Sequence, residues 1–256
     1  MKRDWILLLC AALGGCAALV LRLLENRFGF EADTGLPIAW NVYTLALLAL
    51  LGVYCLGAAA LSLLFSKNCV AFPFSTGSTL GKALCTAGCA LLVLSGGAEI
   101  AEGLFAASKL SDSILDSLCG TMIVLAAAGL FQTLSDRRGG QGNALLWAPA
   151  AMSARLVADF RTESTNPLLA RYAPELAALC LLSLGFFQLS SFPFNTGSLR
   201  RFALYAAVAA PLCLCAAADG GLADAPLFVG GALVLMGFFL FVTQSPLLPE
   251  APASQA

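Results

Sequence analysis

The chain has 256 residues, of which 59% are hydrophobic and 11% charged, with a formal net charge of −1 and a mean hydropathy of +0.86. A soluble domain covers its surface with roughly 25% charged residues. Most of this chain's outer surface must therefore face lipid, and the near-zero charge removes the basic balance that nucleic-acid binding needs, so no nucleic-acid partner is expected.

A membrane-crossing helix needs about 20 mostly apolar residues. The first candidate, 5–24, begins like a signal peptide, and Leu13-Gly14-Gly15-Cys16 loosely resembles a lipoprotein cleavage box. The apolar run continues past Cys16 to Leu24, broken only by Arg22, so an uncleaved first span is expected. Asp33-Thr34-Gly35-Leu36-Pro37 is a helix-start signal ahead of a second span at 38–65. A third span is predicted at 80–98 and a fourth at 113–134, followed by the polar, glycine-rich stretch Ser135–Asn143. Next comes 144–160, which is short and carries Pro149, Arg155 and Asp159; the two charges, four apart, can pair on one helix face. It either spans or lies flat at the interface. Ser164-Thr165-Asn166-Pro167 and a possible Arg171–Glu175 pair precede a sixth span at 174–190, and 200–218 and 226–243 complete the set. The Pro/Ala-rich residues 246–256 read as a disordered tail. Trp5, Trp40 and Trp147 fall near span starts, where aromatic belts form. Asn41, Gln132 and Gln188 are expected to hydrogen-bond between helices.

One short phrase occurs twice. Residues 71–84 read AFPFSTGSTLGKAL and 191–204 read SFPFNTGSLRRFAL, at an offset of 120 that also superposes Glu99 on Asp219. Such an internal repeat implies duplication of a structural unit. With eight spans and the N-terminus inside, the inner segments and helix ends hold eight basic residues (Lys2, Arg3, Lys67, Lys82, Arg137, Arg138, Arg200, Arg201) against three acids. The outer ones hold six basic residues and twelve acids. Connections 66–79 and 191–201 are basic with no acids, while 99–116 and 219–224 are mostly acidic, and this alternation favours eight spans. The expected fold is thus an all-α polytopic bundle of two parallel four-helix repeats, residues 1–137 and 138–245, in a bacterial inner membrane with a cytoplasmic N-terminus. Seven spans plus an interfacial helix is the alternative; it would put the two FPF turns on opposite faces and invert the repeat.

Two sets of residues are candidates for chemistry. In each FPF-[SN]-TGS turn, Ser75 or Asn195, Thr76 or Thr196, and Ser78 or Ser198 can cap the next helix. With Gly77, Gly197, Lys82, Arg200 and Arg201 they can also hold an anion such as a lipid headgroup. Glu99 and Asp219, with Glu102 and Asp224 just beyond, are either solvated loop acids or a carboxylate set for a cation, proton or substrate. The ten cysteines lie in or beside apolar runs without C-x-x-C spacing, and there is no histidine. They read as packing residues, and no metal or other cofactor is expected. Nor does any P-loop, G-x-S-x-G or H-E-x-x-H motif occur. An enzyme is therefore disfavoured; one acting on lipid through carboxylates would need Glu99, Glu102, Asp112 and Asp116 to converge. The leading expectation is a small-molecule or ion permease, or the membrane subunit of a transport complex. The alternative is a non-transporting scaffold, sensor or accessory subunit whose partners are lipid and other membrane subunits.

Overall fold

The computed structural model describes residues 2–30, 38, 40–75, 77–105, 110–135, 142–163, 169–221 and 223–247. Among them are eight α-helices and no strand: α1 (Lys2–Phe28), α2 (Val42–Ser62), α3 (Thr79–Phe105), α4 (Leu110–Ser135), α5 (Trp147–Glu163), α6 (Leu169–Ser190), α7 (Leu199–Ala217) and α8 (Asp224–Gln244). Seven are long and apolar enough to cross a membrane. The exception is α5, 17 residues long and preceded by a 3₁₀ turn at Gly142–Leu146.

Two boundaries differ from the sequence reading in ways that bear on the site. The second helix starts only at Val42, because the Asn41 side chain caps it: Oδ1 accepts from the Tyr43 amide and Nδ2 donates to the Phe28 carbonyl. Asn41 thus closes the α1–α2 connection rather than bonding between helix bodies. The third helix continues well past residue 98 to Phe105, which places Glu99 inside it. The helix-start signals at 33–37 and 164–167, residues 136–141 of the polar stretch and the tail from 248 lie outside the described residues.

Side-chain register fixes the helix directions. Gly14 lies against Tyr54 and Glu25 bonds Thr44, so α1 and α2 are antiparallel. Gly15 meets Pro211 and Leu214 while Arg22 meets Asp219, so α1 and α7 run the same way. Antiparallel pairing also holds for α3 with α4 (Gly96 to Gly120, Gly103 to Ser117) and for α3 with α8 (Gly81 to Phe241, Gly88 to Val234). α5 runs against α4: Ala144 packs on Gly129, and Arg155 reaches Glu99, whose Cβ lies under Gly120. It is built into the bundle between α4 and α6, not laid across its surface. Among the seven long apolar helices α8 is the most buried and α2 the least, so α8 is the axis and α2 the rim.

A proline inside α7 shows how tertiary contact repairs a helix in a medium without water. Pro211 has no N–H and leaves the carbonyl four residues back, Ala207, without its helical donor. The Tyr54 hydroxyl of α2 donates to that carbonyl at 3.2 Å. Each unsatisfied backbone group in lipid is costly. Tyr54→Phe is expected to lower stability by about 1–2 kcal/mol, the cost of a stranded acceptor, read as a drop in the detergent melting temperature.

Candidate functional site

Polar side chains collect at the two ends of the bundle. The end where α1, α3, α5 and α7 finish is the acidic one, and it holds two arginine-centred networks.

The first joins α1, α2 and α7. Arg22 is only 1% exposed. Its Nη1 donates to Glu25 Oε2 and its Nε to Asp219 Oδ2, both at 2.7 Å. Thr44 Oγ1 donates to the other oxygen of Glu25 at 2.6 Å, and Asn26 Nδ2 donates to Asp219 Oδ1. Arg22 and Glu25 are one turn apart on α1, so the helix itself presents them together. Asp219 arrives from just beyond the end of α7.

Arg155 on α5 centres the second network. Its Nη1 pairs with Glu99 Oε1 on α3, its Nε with Asp159 at 2.8 Å one turn along α5, and its Nη2 with Asp224 at 2.8 Å on the first turn of α8. Glu99 is 2% exposed, and its second oxygen, Oε2, is buried with no hydrogen-bond partner. Ser95, one turn before it on α3, and Ser117 on α4 also bury their hydroxyl oxygens without a partner. Ser95, Glu99 and Gly103 follow at four-residue spacing, and Gly103 faces Ser117. The result is a seam of uncommitted oxygens between α3 and α4.

Two guanidiniums therefore contact five carboxylates. Partly buried Glu175 on α6 lies within electrostatic reach of Arg155, Asp159, Asp219 and Asp224, adding a further acid. The carboxylates surround guanidiniums, and among the described residues no three His, Cys, Asp or Glu side chains form a metal-binding group. Glu102, one turn past Glu99, is exposed, and the Asp112 side chain lies outside the described residues, so no convergence of Glu99, Glu102, Asp112 and Asp116 is seen. Glu99 is a buried helix residue rather than a loop acid. Glu99 and Asp219 enter separate networks, each paired with an arginine that it shares with other acids.

At the basic end the two FPF turns lie side by side, with the rings of Phe74 and Phe192 edge to face at 5.7 Å. Their conformations differ. In the first copy the Phe72–Pro73 bond is cis; in the second, Phe192–Phe194 is a 3₁₀ turn closed by Asn195 in the left-handed region at φ 58°. The helix-capping positions are Ser78 and Ser198, not Ser75 or Asn195. Ser78 Oγ accepts from the Gly81 amide at 3.1 Å, whereas the Ser198 side chain makes no capping bond. Thr196 is committed to the Ser191 carbonyl and Gly197 packs under the Phe192 ring, while Gly77 and Lys82 are exposed; Thr76 lies outside the described residues. The first amides of α7 are already used: Leu199 N donates to Asn68 O at 3.4 Å and Arg200 N to Ser66 O at 3.0 Å.

Reading by sequence overlooked Arg22 and Glu25 as a buried pair. The available signal was an arginine breaking an apolar run with an acid three residues later. No protein-family model, curated relative or solved structure matches this chain.

Proposed function

We propose that this chain is a permease, or the membrane subunit of a transport complex, with the buried carboxylates around Glu99 as its cation- or proton-coupling site. The carrying observation is the Glu99 carboxylate, 2% exposed, with one oxygen held by Arg155 and the other unpartnered beside two uncommitted serine hydroxyls. Leaving an ionised oxygen without a partner in low dielectric is costly. A proton or a bound cation removes that cost, and its departure restores the charge; this is the chemistry of a coupling site. Five carboxylates against two guanidiniums keep the region cation-seeking.

The topology that goes with this reading is eight spans in a cell membrane, with the basic end and the N-terminus cytoplasmic. Support comes from the alternating helix directions, with α5 running inside the bundle, and from the contact between the two FPF turns at one end. It is also supported by the exchange of ion pairs between repeats. Arg22 of the first repeat holds Asp219 of the second, and Arg155 of the second holds Glu99 of the first, the two acids being repeat equivalents. Helix packing around them is less symmetric: α7 touches α1, α2, α6 and α8, whereas α3 packs on α4 and α8.

The test is flux in proteoliposomes carrying entrapped dyes selective for protons, sodium or potassium, under potentials of either sign, with a gradient of each cation in turn. Wild-type protein is expected to move at least one of these cations. Glu99→Gln with Asp219→Asn should reduce that movement to the level of protein-free vesicles. Full flux in the double variant, or none of the three moved by wild type, overturns the proposal. The second reading, an accessory subunit, draws on α2, where Val42, Leu48, Val53 and Leu56 are all more than half exposed. A stable partner retained in mild detergent, with no flux from the chain alone, would favour it.

A further inference from the structure

At the basic end, a groove of about 590 Å³ opens between the last turn of α2 and the first turn of α7. Its walls carry Lys67, Arg200 and Arg201, the Ser198 hydroxyl, and an apolar side that includes Leu63 and Leu204. No acidic residue lines it, and among the described residues none of the three cations has a carboxylate partner. At the other end of the bundle the buried Arg22 and the partly buried Arg155 are each surrounded by acids, so three cations without a carboxylate in one concavity stand apart.

Their convergence is built by the backbone. The carbonyls of Ser66 and Asn68 accept from the Arg200 and Leu199 amides, pinning the loop that carries Lys67 onto the helix start that carries both arginines. Like charges lining one groove repel unless an anion shares them. Ser198 adds a second and independent sign. It is 5% exposed and faces the groove, yet its side chain does not cap α7, whereas its repeat partner Ser78 caps α3. The hydroxyl is left to donate into the groove.

We propose that this groove binds a phosphate group, supplied by the headgroup of an anionic lipid. The two guanidiniums and the ammonium provide charge, and guanidinium suits phosphate geometry in particular. Ser198 donates one hydrogen bond. The apolar side continues onto α2, the helix most exposed to lipid, so an acyl-bearing ligand can leave its tails in the bilayer. The volume falls within the range of small-ligand sites, about 300–1,000 Å³. The site is independent of the carboxylates at the other end and of whether the chain transports.

Lipid retention on the full-length protein in mild detergent, read by native mass spectrometry, tests the assignment. The probes are phosphatidylglycerol, phosphatidylcholine and inorganic phosphate, each titrated separately. Phosphatidylglycerol is expected to bind, and phosphatidylcholine, whose headgroup carries no net charge, to bind much more weakly. Each cation removed should weaken binding about fivefold, so Lys67→Gln with Arg200→Gln and Arg201→Gln should lose about 100-fold. Lys82→Gln, at the same end but outside the groove, should bind as wild type does. Ser198→Ala, which leaves the charges intact, should weaken binding several-fold and keeps the test open if the triple variant does not fold. Equal retention of both lipids, or unchanged binding in the triple variant, overturns the proposal. Binding of inorganic phosphate at comparable affinity, lost in the triple variant, upholds the phosphate site and assigns it to a soluble ligand.

Discussion

Arg22→Met is expected to destabilise the protein by about 3–5 kcal/mol, the usual cost of stripping one partner from a buried ion pair. Arg22 is 1% exposed and bridges Glu25 and Asp219 through different nitrogens, so its removal strands two carboxylates from two helices. Arg22→Lys should recover only part of the loss. One ammonium lacks the fork that reaches both acids, and it is more strongly hydrated than a guanidinium. The decisive comparison is the triple variant Arg22→Met, Glu25→Gln, Asp219→Asn. If the cost of the single change is unpaired charge, neutralising all three groups restores wild-type stability or exceeds it, because buried ion pairs seldom beat neutral packing. If the triple variant is as unstable as the single one, Arg22 contributes through its shape and packing instead. Unfolding in mixed detergent micelles, followed by circular dichroism, gives the three values.

That arginine also marks the boundary of what a reader of the sequence can find. Composition and hydropathy suffice for a polytopic helical bundle, because lipid leaves the backbone few other choices, and the long apolar helices lie close to their predicted ranges. The helix ends were less legible. Asn41 shortened α2 at its start by an Asx cap, and α3 ran past its expected end, with Gly96 packed closely on Gly120 of α4 inside a continuous helix rather than in a turn. Glu99 and Asp219 could be picked out by the repeat offset alone, and both turned out to be in arginine-centred networks. Their partners could not be named in advance. Arg155 was visible only as the local mate of Asp159, and Arg22 only as a break in a hydrophobic run. Both make their defining contacts with residues 56 or more positions away (Arg155 to Glu99, Arg22 to Asp219), and no local period encodes such distances. The basic groove was half legible. Arg200, Arg201 and Ser198 follow from the repeated turn, but Lys67 joins them through a pair of backbone hydrogen bonds that carry no sequence signature.

Gly88→Ala is expected to cost about 3 kcal/mol, although alanine is the better helix former by about 1 kcal/mol. The helices α3 and α8 cross on four glycines, Gly81 and Gly88 on one and Gly230 and Gly237 on the other, each pair seven residues apart. In lipid no hydrophobic force drives two apolar helices together, so close backbone approach over small residues supplies the packing. A Cβ on Gly88 would lie 2.7 Å from the Gly230 carbonyl and 2.9 Å from the Val234 amide. Both obstacles are backbone, which cannot rotate away as a side chain would. Gly97, on the same helix, is the control. A Cβ there meets nothing within 4 Å, so Gly97→Ala should stabilise by up to about 1 kcal/mol. Opposite signs from the same substitution nine positions apart on one helix would separate the crossing from intrinsic propensity. Two stabilising results would mean the α3–α8 contact is looser than described. The crossing matters for the acidic end as well. α3 carries Glu99 and α8 carries Asp224 to the same arginine. A forced separation at Gly88 should therefore also loosen the Arg155 network, and Gly88→Ala should make Glu99→Gln less costly than it is in the wild-type background.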